Sequence, residues 1–382
     1  MAGSSPSEDL DAIRRDSKSP GDRAVIREMR EAGSRTARER VLDLLDDGSF
    51  VEVDAFVKHR SGDHGMHLHN PLGDGVVAGH GMLDGRRVAC FSQDFAVFSG
   101  TMGEMHARKI CKILELAEKA RLPVIGIWDG DGQRPHEGVT SLGPNGEILD
   151  LLVSCSGKVP TLSIVLGTVS GTSALAAGLS DFVILGQQRG RMFMRSPYVI
   201  PEIISGEVDE DTLGGAAHHA SRSGVACMVS ESESGAFDIA AEILSFLPDH
   251  TMAEPPRLST GDKWKRKCKG MGKLVPLDSD RPYDMRGVVA EVVDDKRFLE
   301  LFPSYAENAV VGFARLDGVP VGVVGNQPSV LAGCLDIDAS VKAARFIRTC
   351  DCFNIPIVTF VDVPGFLPGT VQEWGGIIRH GA

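Results

Sequence analysis

Several features that mark other classes of protein are absent from this sequence. None of its 382 residues lies in an apolar run as long as the ~18 residues that a membrane-spanning helix needs, and the opening segment, MAGSSPSEDLDAIRR, lacks the apolar core of a secretory signal. The eight cysteines include no CxxC pair, which disfavours a zinc ribbon and is typical of reduced thiols in a cytoplasmic protein. Positive charge is also scarce: the net charge is −12, which argues against nucleic acid or an anionic membrane as a partner.

The common catalytic and nucleotide-binding motifs are missing as well. There is no GxxxxGK[ST] P-loop, no GxSxG nucleophile elbow, and no GxGxxG after a strand. Ser92, Ser170 and Ser173 have no recognisable histidine partner in their sequence context, so none is predicted to be a nucleophile. Four histidines lie within residues 59–70, but their spacing fits no regular ligand set, and we expect a polar surface loop there rather than a metal site.

What the sequence does contain is glycine placed directly after short apolar runs. The stretch Leu122–Gly138, LPVIGIWDGDGQRPHEG, joins a strand-like run, Val124–Trp128, to a polar loop with three glycines. A buried strand that ends in such a loop presents backbone N–H groups to a ligand. We therefore expect ligand contact at this loop, with a hydrogen-bonded surface turn as the alternative. A similar unit returns at Ile355–Gly369, IPIVTFVDVPGFLPG.

Capping, turn and periodicity signals predict the elements around this stretch. A capping box of Thr36 and Glu39 predicts that a helix starts at Thr36. The turn Leu83–Gly85 predicts a hairpin. The other predicted elements are the hairpin strands Gly75–Gly81 and Arg87–Phe91, the helices Met102–Arg121, Glu147–Val153 and Thr172–Gly178, and the strands Thr161–Leu166 and Phe182–Leu185.

Four pairs of matching segments recur at one constant separation of 233 residues. They are Leu83–Gly85 with Leu316–Gly318, Lys109 with Lys342, Leu122–Val124 with Ile355–Ile357, and Asp129 with Asp362. A repeat in constant register indicates two homologous domains.

The repeat and the composition together predict the domain organisation of an α/β protein. The expected parts are a flexible tail and helix at 1–34, an N-terminal domain at 35–249, a linker at 250–280, and a partial C-terminal domain at 281–382. The second domain is expected to be incomplete, because the counterpart of Gly167–Ala174 would begin near position 400.

Several longer stretches match the pattern of one family. They are Thr36–Arg40 with Gly48–Phe50, Gly73–Val77, Phe91–Phe95, Leu213–Ala216, Gly325–Pro328, Phe360–Gly369 and Gly375–Gly381. From about Arg35 to Ala382 the chain resembles the carboxyltransferase (beta) subunit of biotin-dependent acyl-CoA carboxylases, such as propionyl-CoA carboxylase. The resemblance implies two tandem crotonase-like domains, of the ClpP/crotonase spiral type. It also implies ring-shaped hexamers, with each active site between the N-domain of one subunit and the C-domain of another.

The resemblance also implies a reaction, in which a carboxylate moves from carboxybiotin to the α carbon of an acyl-CoA. The N–H groups of Gly171 and Thr172 would hold the thioester enolate and are the implied catalytic groups. The implied CoA-binding and substrate-binding residues are Gly132, Arg134, Glu137, Gly138 and Gly167. The implied biotin-side loop consists of Pro364, Gly365 and Phe366, and no metal is implied.

Two segments depart from the family pattern. Where the family has Asp-Ser-Gly-Gly-Ala-Arg-Ile-Gln-Glu-Gly, this chain has Asp129-Gly-Asp-Gly-Gln-Arg-Pro-His-Glu-Gly138. Where the family has Gly-Pro-Cys-Ala-Gly-Gly-Ala, it has Gly167-Thr-Val-Ser-Gly-Thr-Ser173. Thr172 thus occupies a glycine position; a β-branched residue still donates its N–H but does not readily adopt a positive φ. The family's Tyr-Gly-Gly-Ala-Tyr-Asp segment, which serves the biotin side, is expected to lie beyond Ala382.

The partners follow from the same resemblance. The chain contains neither a Met-Lys-Met biotinylation site nor an ATP-binding motif. Carboxybiotin is therefore expected on a biotin carboxylase/biotin carrier alpha subunit, while copies of this chain or a full-length beta-type subunit would form a homo- or hetero-hexamer. Two other functions stay open: a biotin-independent decarboxylase or related acyl-thioester or polyketide-tailoring enzyme of specialised metabolism, and a non-catalytic subunit of a carboxylase complex.

Overall fold

The computed structural model describes residues 6–195, 209–263, 265–278 and 281–382. The chain divides into two compact units, one formed by Met1–His218 with Val229–Ala241 and the other by His219–Met228 with Glu242–Ala382. Within the described ranges, no helix combines the length and the apolar character needed to cross a membrane. Both units combine sheets with helices, which confirms the predicted α/β class.

The first unit begins with three helices and continues as alternating strands and helices. In chain order these are α1 (Pro6–Ser17), α2 (Arg23–Glu31), α3 (Ala37–Leu44), β1 (Val51–Glu52), β2 (Val76–Leu83), β3 (Arg86–Gln93), α4 (Glu104–Ala120), β4 (Val124–Gly130), α5 (Leu142–Cys155), β5 (Thr161–Ser170), α6 (Gly171–Gly178), β6 (Phe182–Gly186), β7 (Arg191–Phe193), α7 (Glu210–Gly214), α8 (Ala216–His218), β8 (Met228–Ser230) and α9 (Glu233–Phe246).

One mixed sheet organises this unit, with the strand order β1-β2-β3-β4-β5-β6-β8 and with β7 beside β5. The first three strands are antiparallel neighbours, whereas β3, β4, β5 and β6 run parallel. Every residue of β4 is buried, as expected for a central parallel strand. Because β4 and β5 are parallel neighbours, they end at the same edge, where Gly130 pairs with Val169. The loop after β4 and the junction after β5 therefore meet.

The structure confirms the predicted elements of this unit and shifts their ends, most of all in α5 and β5. The hydroxyl of Thr36 accepts a hydrogen bond from the N–H of Glu39, whose carboxylate accepts one from the N–H of Thr36, so the predicted capping box starts α3. Helix α5 begins at Leu142, before the predicted Glu147, because the first turn of a helix tolerates a proline such as Pro144. Strand β5 continues past Leu166 to Ser170 through Thr168 and Val169, whose β-branched side chains favour extended backbone.

The second unit has a smaller sheet, with the strand order β12-β11-β10-β9. Strands β11 and β12 are parallel and the other pairs are antiparallel. A buried apolar cluster that includes Val289, Val293, Ala314 and Val323 lies beneath this sheet. The elements after α9 are α10 (Met271–Leu274), α11 (Met285–Val292), β9 (Phe298–Leu301), β10 (Ala309–Leu316), β11 (Val319–Asn326), α12 (Ile337–Cys352), β12 (Ile357–Phe360), α13 (Thr370–Gly375) and α14 (Ile377–Gly381).

The predicted repeat is visible in the backbone of both units. Asp84 and Gly85 have φ values of 50° and 75°, and Asp317 and Gly318, 233 residues later, have φ values of 51° and 78°. Two successive positive φ values are the signature of a type I′ hairpin turn. Each unit therefore builds its central hairpin with the same turn.

The two lysines of the repeat also occupy equivalent positions. The Nζ of Lys109 donates to the carbonyl oxygen of Val76 at 2.5 Å, and the Nζ of Lys342 donates to that of Ala309 at 2.7 Å. Val76 and Ala309 are the first residues of the equivalent strands β2 and β10. Both ammonium groups are buried, so they satisfy carbonyl oxygens that water cannot reach. The repeated lysines thus share a structural role.

The segment predicted to be a linker, 250–280, is hydrogen-bonded to the rest of the second unit. The guanidinium of Arg266 donates to the carbonyl oxygens of residues 291–293. The N–H of Leu258 donates to the carbonyl oxygen of Gly318 at 3.0 Å. These bonds attach the described part of the segment to the sheet and helix of that unit.

Candidate functional site

Asp129, near the end of β4, lies in a buried ion-pair network. Its Oδ2 accepts a hydrogen bond from Nη1 of Arg40 at 2.7 Å, and Nη2 of Arg40 pairs with Oε1 of Glu233 at 2.7 Å. Burial by itself lowers the pKa of Arg40, but the two carboxylates outweigh it and raise that pKa above its usual range. The network fixes the end of β4 against α3 and the start of α9.

Gly167 is the predicted substrate-binding residue that lies directly against this network. A Cβ at Gly167 would overlap the carboxylate of Asp129, and the Oδ1 atom that faces it makes no hydrogen bond with any described residue. The absence of a side chain therefore has a packing reason, namely that it makes room for Asp129. Contact of Gly167 with a ligand stays a prediction.

Arg134 and Glu137, two further predicted binding residues, form a second buried network with Asp74. Nη1 of Arg134 lies 2.6 Å from Oδ1 of Asp74 and 2.7 Å from Oε1 of Glu137. Burial raises the pKa of the Asp74 carboxyl, although Arg134 opposes the rise. The other oxygen of Glu137 accepts a hydrogen bond from the N–H of Glu104 at 2.6 Å, at the start of α4. Glu137 thus holds the loop after β4 onto the start of α4, and Arg134 joins the same loop to Asp74.

The two predicted glycines of this loop, Gly132 and Gly138, both have positive φ values, of 68° and 52°. The carbonyl of Gly132 accepts from the N–H of Met102 at 2.8 Å, and the N–H of Arg134 donates to the carbonyl of Met102 at 2.9 Å. A Cβ at Gly132 would lie 3.0 Å from the Oγ of Ser170, whereas one at Gly138 would meet nothing within 4 Å. Gly132 therefore lies against the junction after β5.

That junction contains the two predicted catalytic groups. Helix α6 begins at Gly171, which has a φ value of 57°, and the N-cap residue Ser170 does not cap the helix with its side chain. The first N–H groups of a helix have no acceptor within the helix and carry a partial positive charge. Thr172 is not among the residues with a positive φ, so its β-branched side chain causes no strain. The N–H groups of Gly171 and Thr172 thus have the character of an oxyanion site.

A hydrogen bond that the sequence did not reveal joins the loop after β4 to the junction after β5. The hydroxyl of Ser170 donates to Oδ1 of Asp131 at 2.6 Å. Asp131 is exposed, and Ser170 is half-buried. The available signal was the departure from the family pattern, since both positions carry a polar side chain where the pattern has glycine and alanine.

The predicted biotin-side loop, Pro364–Phe366, lies 233 residues after Asp131–Gln133. The carbonyl of Gly365 accepts from the N–H of Leu335 at 3.0 Å, which is the backbone pattern of the equivalent loop in the first unit. A Cβ at Gly365 would meet nothing within 4 Å, and the ring of Phe366 is 52% exposed. The second unit therefore presents a loop of the same construction, but with an apolar ring and an open backbone.

A cavity of about 320 Å³ lies in the first unit, beside the turn between α2 and α3. Its lining includes Ser34, Arg35, Leu166, Arg189, Ser232 and Ser234. Nη1 of Arg189 donates to the hydroxyl of Ser34 at 2.7 Å, and Nη2 of Arg35 donates to that of Ser234 at 2.9 Å. Glu231 and Glu233 also line the cavity, and Arg35 pairs with Asp43 at 2.8 Å, so the lining carries charges of both signs.

The histidine-rich segment 59–70 forms a short helical turn, Asp63–Leu68, without converging ligands. Across the part of the chain that the structure describes, no three side chains of histidine, cysteine, aspartate or glutamate are placed to hold one metal ion. A ring nitrogen of His59 lies 2.6 Å from the carbonyl oxygen of His69.

Comparison with known proteins gives the same assignment over nearly the whole chain. Residues 28–382 match the family model described as carboxyl transferase domain. The chain is 47% identical over 381 residues to a protein of Mycobacterium tuberculosis named biotin-dependent acetyl-/propionyl-coenzyme A carboxylase beta5 subunit; the match covers 98% of this chain and 69% of that protein. It is 46% identical over 365 residues to methylmalonyl-CoA decarboxylase subunit alpha of Veillonella parvula, covering 96% of this chain and 72% of that protein.

A solved structure has the same fold. The transcarboxylase 12S structure, described as a hexamer assembly with hydrolysed methylmalonyl-coenzyme A bound, matches with a TM-score of 0.96 at 40% identity. The match covers 100% of this chain and 74% of that one. The likeness confirms the expected crotonase-like architecture.

Proposed function

The chain belongs to the carboxyl transferase domain family and is a carboxyltransferase of the biotin-dependent acyl-CoA carboxylase type, and from this premise we propose how its first unit acts. The thioester oxygen of an acyl-CoA is held by the N–H groups of Gly171 and Thr172 at the start of α6. The observation that carries this assignment is the uncapped helix start, with Gly171 at a φ value of 57° directly after Ser170, the residue that Gly132 approaches.

The chemistry requires that negative charge be held on the thioester oxygen when the α carbon becomes a nucleophile. Two backbone N–H groups at a helix start supply that stabilisation without reorganising, and removal of one such donor typically costs about 10²–10³-fold in kcat. Carboxybiotin, when it is bound, supplies the carboxylate that the α carbon accepts. Arg134 and Glu137 act by fixing the loop that contains Gly132 and Gly138, so that the loop covers the helix start. Gly167 has no side chain and therefore leaves space for the carboxylate of Asp129.

We place the approach of biotin at Pro364–Phe366. The residues fit a small bicyclic group, because Phe366 offers an exposed apolar ring and Gly365 leaves its backbone open. The phosphate groups of CoA are assigned to the cavity at Arg189, since a guanidinium group binds phosphate oxygens bidentately. Its volume of about 320 Å³ is at the lower end of small-ligand pockets.

The partners in this proposal are other chains of the same system. A biotin carboxylase/biotin carrier alpha subunit would carry the biotin, and copies of this chain or a full-length beta-type subunit would assemble with it as a hexamer. The relative named beta5 subunit and the hexamer described for transcarboxylase 12S support these assignments. Cytoplasmic localisation is part of the same proposal.

The test is carboxylate release from methylmalonyl-CoA and malonyl-CoA, measured with and without free biotin. Biotin-dependent release that falls at least 10²-fold in Gly171→Val supports the proposal. Gly178→Ala is the matched control, because Gly178 lies in the same helix, has no positive φ, and has nothing within 4 Å of an added Cβ. Equal release by the wild type and Gly171→Val would overturn the assignment of the oxyanion site.

A second candidate function is decarboxylation, which the match to methylmalonyl-CoA decarboxylase subunit alpha favours. Release of carbon dioxide that is independent of biotin would select the specialised decarboxylase, or a related thioester or polyketide-tailoring enzyme. A third candidate is a non-catalytic subunit. Absence of release in both assays, together with co-purification of a longer beta-type chain, would select it.

A further inference from the structure

The hydrogen bond between Asp131 and Ser170 places a carboxylate at the proposed thioester site. Oδ1 of Asp131 lies 2.6 Å from the Oγ of Ser170, and Ser170 directly precedes Gly171. A Cβ at Gly132 would lie 3.0 Å from the same hydroxyl. Asp131 therefore lies beside the helix start whose N–H groups are proposed to hold the thioester oxygen.

Both residues depart from the family pattern. Asp131 stands where the pattern has glycine and Ser170 where it has alanine, so neither position of the pattern has a hydrogen-bonding side chain. Here the two polar side chains, 39 positions apart in the sequence, meet and bind each other. A carboxylate held by a donor, at two positions where the pattern has neither group, points to a role for the charge itself.

The free part of the Asp131 carboxylate is its second oxygen. Only Ser170 donates to this carboxylate among the described residues, so Oδ2 is available, and the side chain is exposed at the loop surface. The hydroxyl of Ser170 is used to hold Asp131 and not to cap α6, which keeps the N–H groups of the helix start free.

We propose that Asp131 is an acid–base residue that exchanges the α proton of a bound acyl-CoA without biotin. The α C–H bond breaks, its electron pair forms the enolate, and the proton moves to Oδ2 of Asp131. The negative charge then lies on the thioester oxygen, held by the N–H groups of Gly171 and Thr172. The neutral Asp131 carboxyl exchanges its proton with water and returns one to the α carbon. The net charge of the site is the same before and after the transfer, which is why a carboxylate can lie beside an oxyanion site.

This inference rests on the proposed thioester site and extends it. If it holds, the chain generates an enolate from its own side chains, and the same residue protonates the enolate left by loss of a carboxylate. A positioned acid–base group typically contributes about 10²–10⁴-fold to a rate.

The experiment is incorporation of deuterium into the α position of propionyl-CoA in D₂O, followed by mass spectrometry, with the full chain and no biotin. Wild type is expected to exchange, and Asp131→Asn is expected to lose at least 10²-fold with little change in KM. Ser170→Ala should fall by a smaller factor, because Asp131 remains but is no longer oriented. Asp150→Asn is the control: Asp150 is an exposed aspartate on α5, and this variant should match wild type.

A second variant separates chemistry from folding. Asp131→Gly restores the residue of the family pattern and leaves space, so added formate should restore exchange in Asp131→Gly but not accelerate wild type. Equal exchange by wild type and Asp131→Asn would overturn the inference, as would absence of exchange by wild type. Either result leaves the proposed carboxyl transfer intact if biotin-dependent release still depends on Gly171, so the two failures are distinguishable.

Discussion

Gly167 shows at the scale of one residue why the site tolerates so little change. Its missing Cβ admits the carboxylate of Asp129, whose Oδ2 in turn pairs with the fully buried Arg40. Such a pair stabilises the fold only while both partners and their hydrogen bonds stay in place. The geometry at the end of β4 therefore depends on one absent side chain.

Gly167→Ala is expected to destabilise the first unit by about 3 kcal/mol or more. The added methyl would displace the Asp129 carboxylate, and breaking a buried ion pair typically costs about 3–5 kcal/mol. The measurement is the midpoint of urea denaturation, monitored by circular dichroism. Gly143→Ala is the control, since it adds a methyl to α5 with nothing within 4 Å and should change stability by less than about 1 kcal/mol. Equal midpoints for the two variants would contradict the role given to Gly167.

The buried lysines of the repeat predict a dependence of stability on pH. Burial lowers the pKa of Lys109 to about 8 and that of Lys342 to about 8. In the unfolded chain a lysine has a pKa of ~10.4. Between these values the folded state has released a proton that the unfolded state retains, so the lysine's contribution to the free energy of unfolding rises with pH, by roughly 1.4 kcal/mol per pH unit.

The test compares wild type with Lys342→Met by urea denaturation from pH 8 to pH 10. The free energy of unfolding of wild type, relative to that of Lys342→Met, should increase as the pH rises. Lys263→Met, which removes an exposed lysine, should show no such change in its difference from wild type. A pH-independent difference for Lys342→Met would rule out the linkage.

At the scale of elements, the repeat uses the same construction with different chemistry. Oε2 of Glu137 accepts from the N–H of Glu104 at the start of α4, and the amide oxygen of Gln372 accepts from the N–H of Ile337 at the start of α12, at 3.0 Å. Glu104 and Ile337 are 233 residues apart. The carboxylate of Glu137 also forms an ion pair with Arg134, whereas the neutral amide of Gln372 forms no ion pair.

Glu137→Ala should therefore be far more destabilising than Gln372→Ala. Loss of Glu137 removes a charge-assisted bond to a helix start and one partner of a buried arginine, for about 3 kcal/mol, whereas loss of Gln372 removes one neutral hydrogen bond, for about 1 kcal/mol. Thermal unfolding of the two variants under one set of conditions makes the comparison. Similar losses would show that the ion pair contributes nothing.

The hairpin turns give a second matched pair. Gly85 and Gly318 both have positive φ values, but an added Cβ would meet nothing within 4 Å at Gly85 and would overlap the carbonyl oxygen of Leu258 at Gly318. Gly85→Ala should cost about 1 kcal/mol from backbone strain alone. Gly318→Ala should cost more, because the segment around Leu258 must move. A lower urea midpoint for Gly85→Ala than for Gly318→Ala would contradict the close packing of the segment around Leu258 against Gly318.

At the scale of the whole molecule, apolar side chains are exposed near the end of the second unit. Trp374 is 86% exposed and Ile378 is 78% exposed. Large apolar side chains grouped at a surface mark interaction sites. We expect a second copy of this chain to cover them.

Trp374→Ser should therefore weaken self-association and lower the sedimentation coefficient of the chain. Val139→Ser is the control, because Val139 is 77% exposed in the first unit and lies outside this group. Identical sedimentation of wild type and Trp374→Ser at micromolar concentration would exclude these side chains from self-association.

Much of the site could be predicted from the sequence because its parts are local. The capping box at Thr36 and the buried run of β4 follow from residue type and spacing. The pairing of Asp131 with Ser170 could not be predicted in this way, because it depends on β4 and β5 being parallel neighbours. The buried ion pair of Arg134 was missed because its partner Asp74 is 60 residues away in the sequence.

The sequence by itself determined the repeat, the family and the glycines, because constant spacing and local backbone preference are properties of the chain in order. The tertiary structure decided which of these residues are enclosed and which lie at the edge of the sheet. Arg134 and Glu137 became an enclosed ion pair, Gly167 became the space for Asp129, and Asp131 came to lie beside Gly171. The physical reason is that burial and pairing depend on which strand ends meet at the edge of the sheet, and local sequence does not encode that meeting.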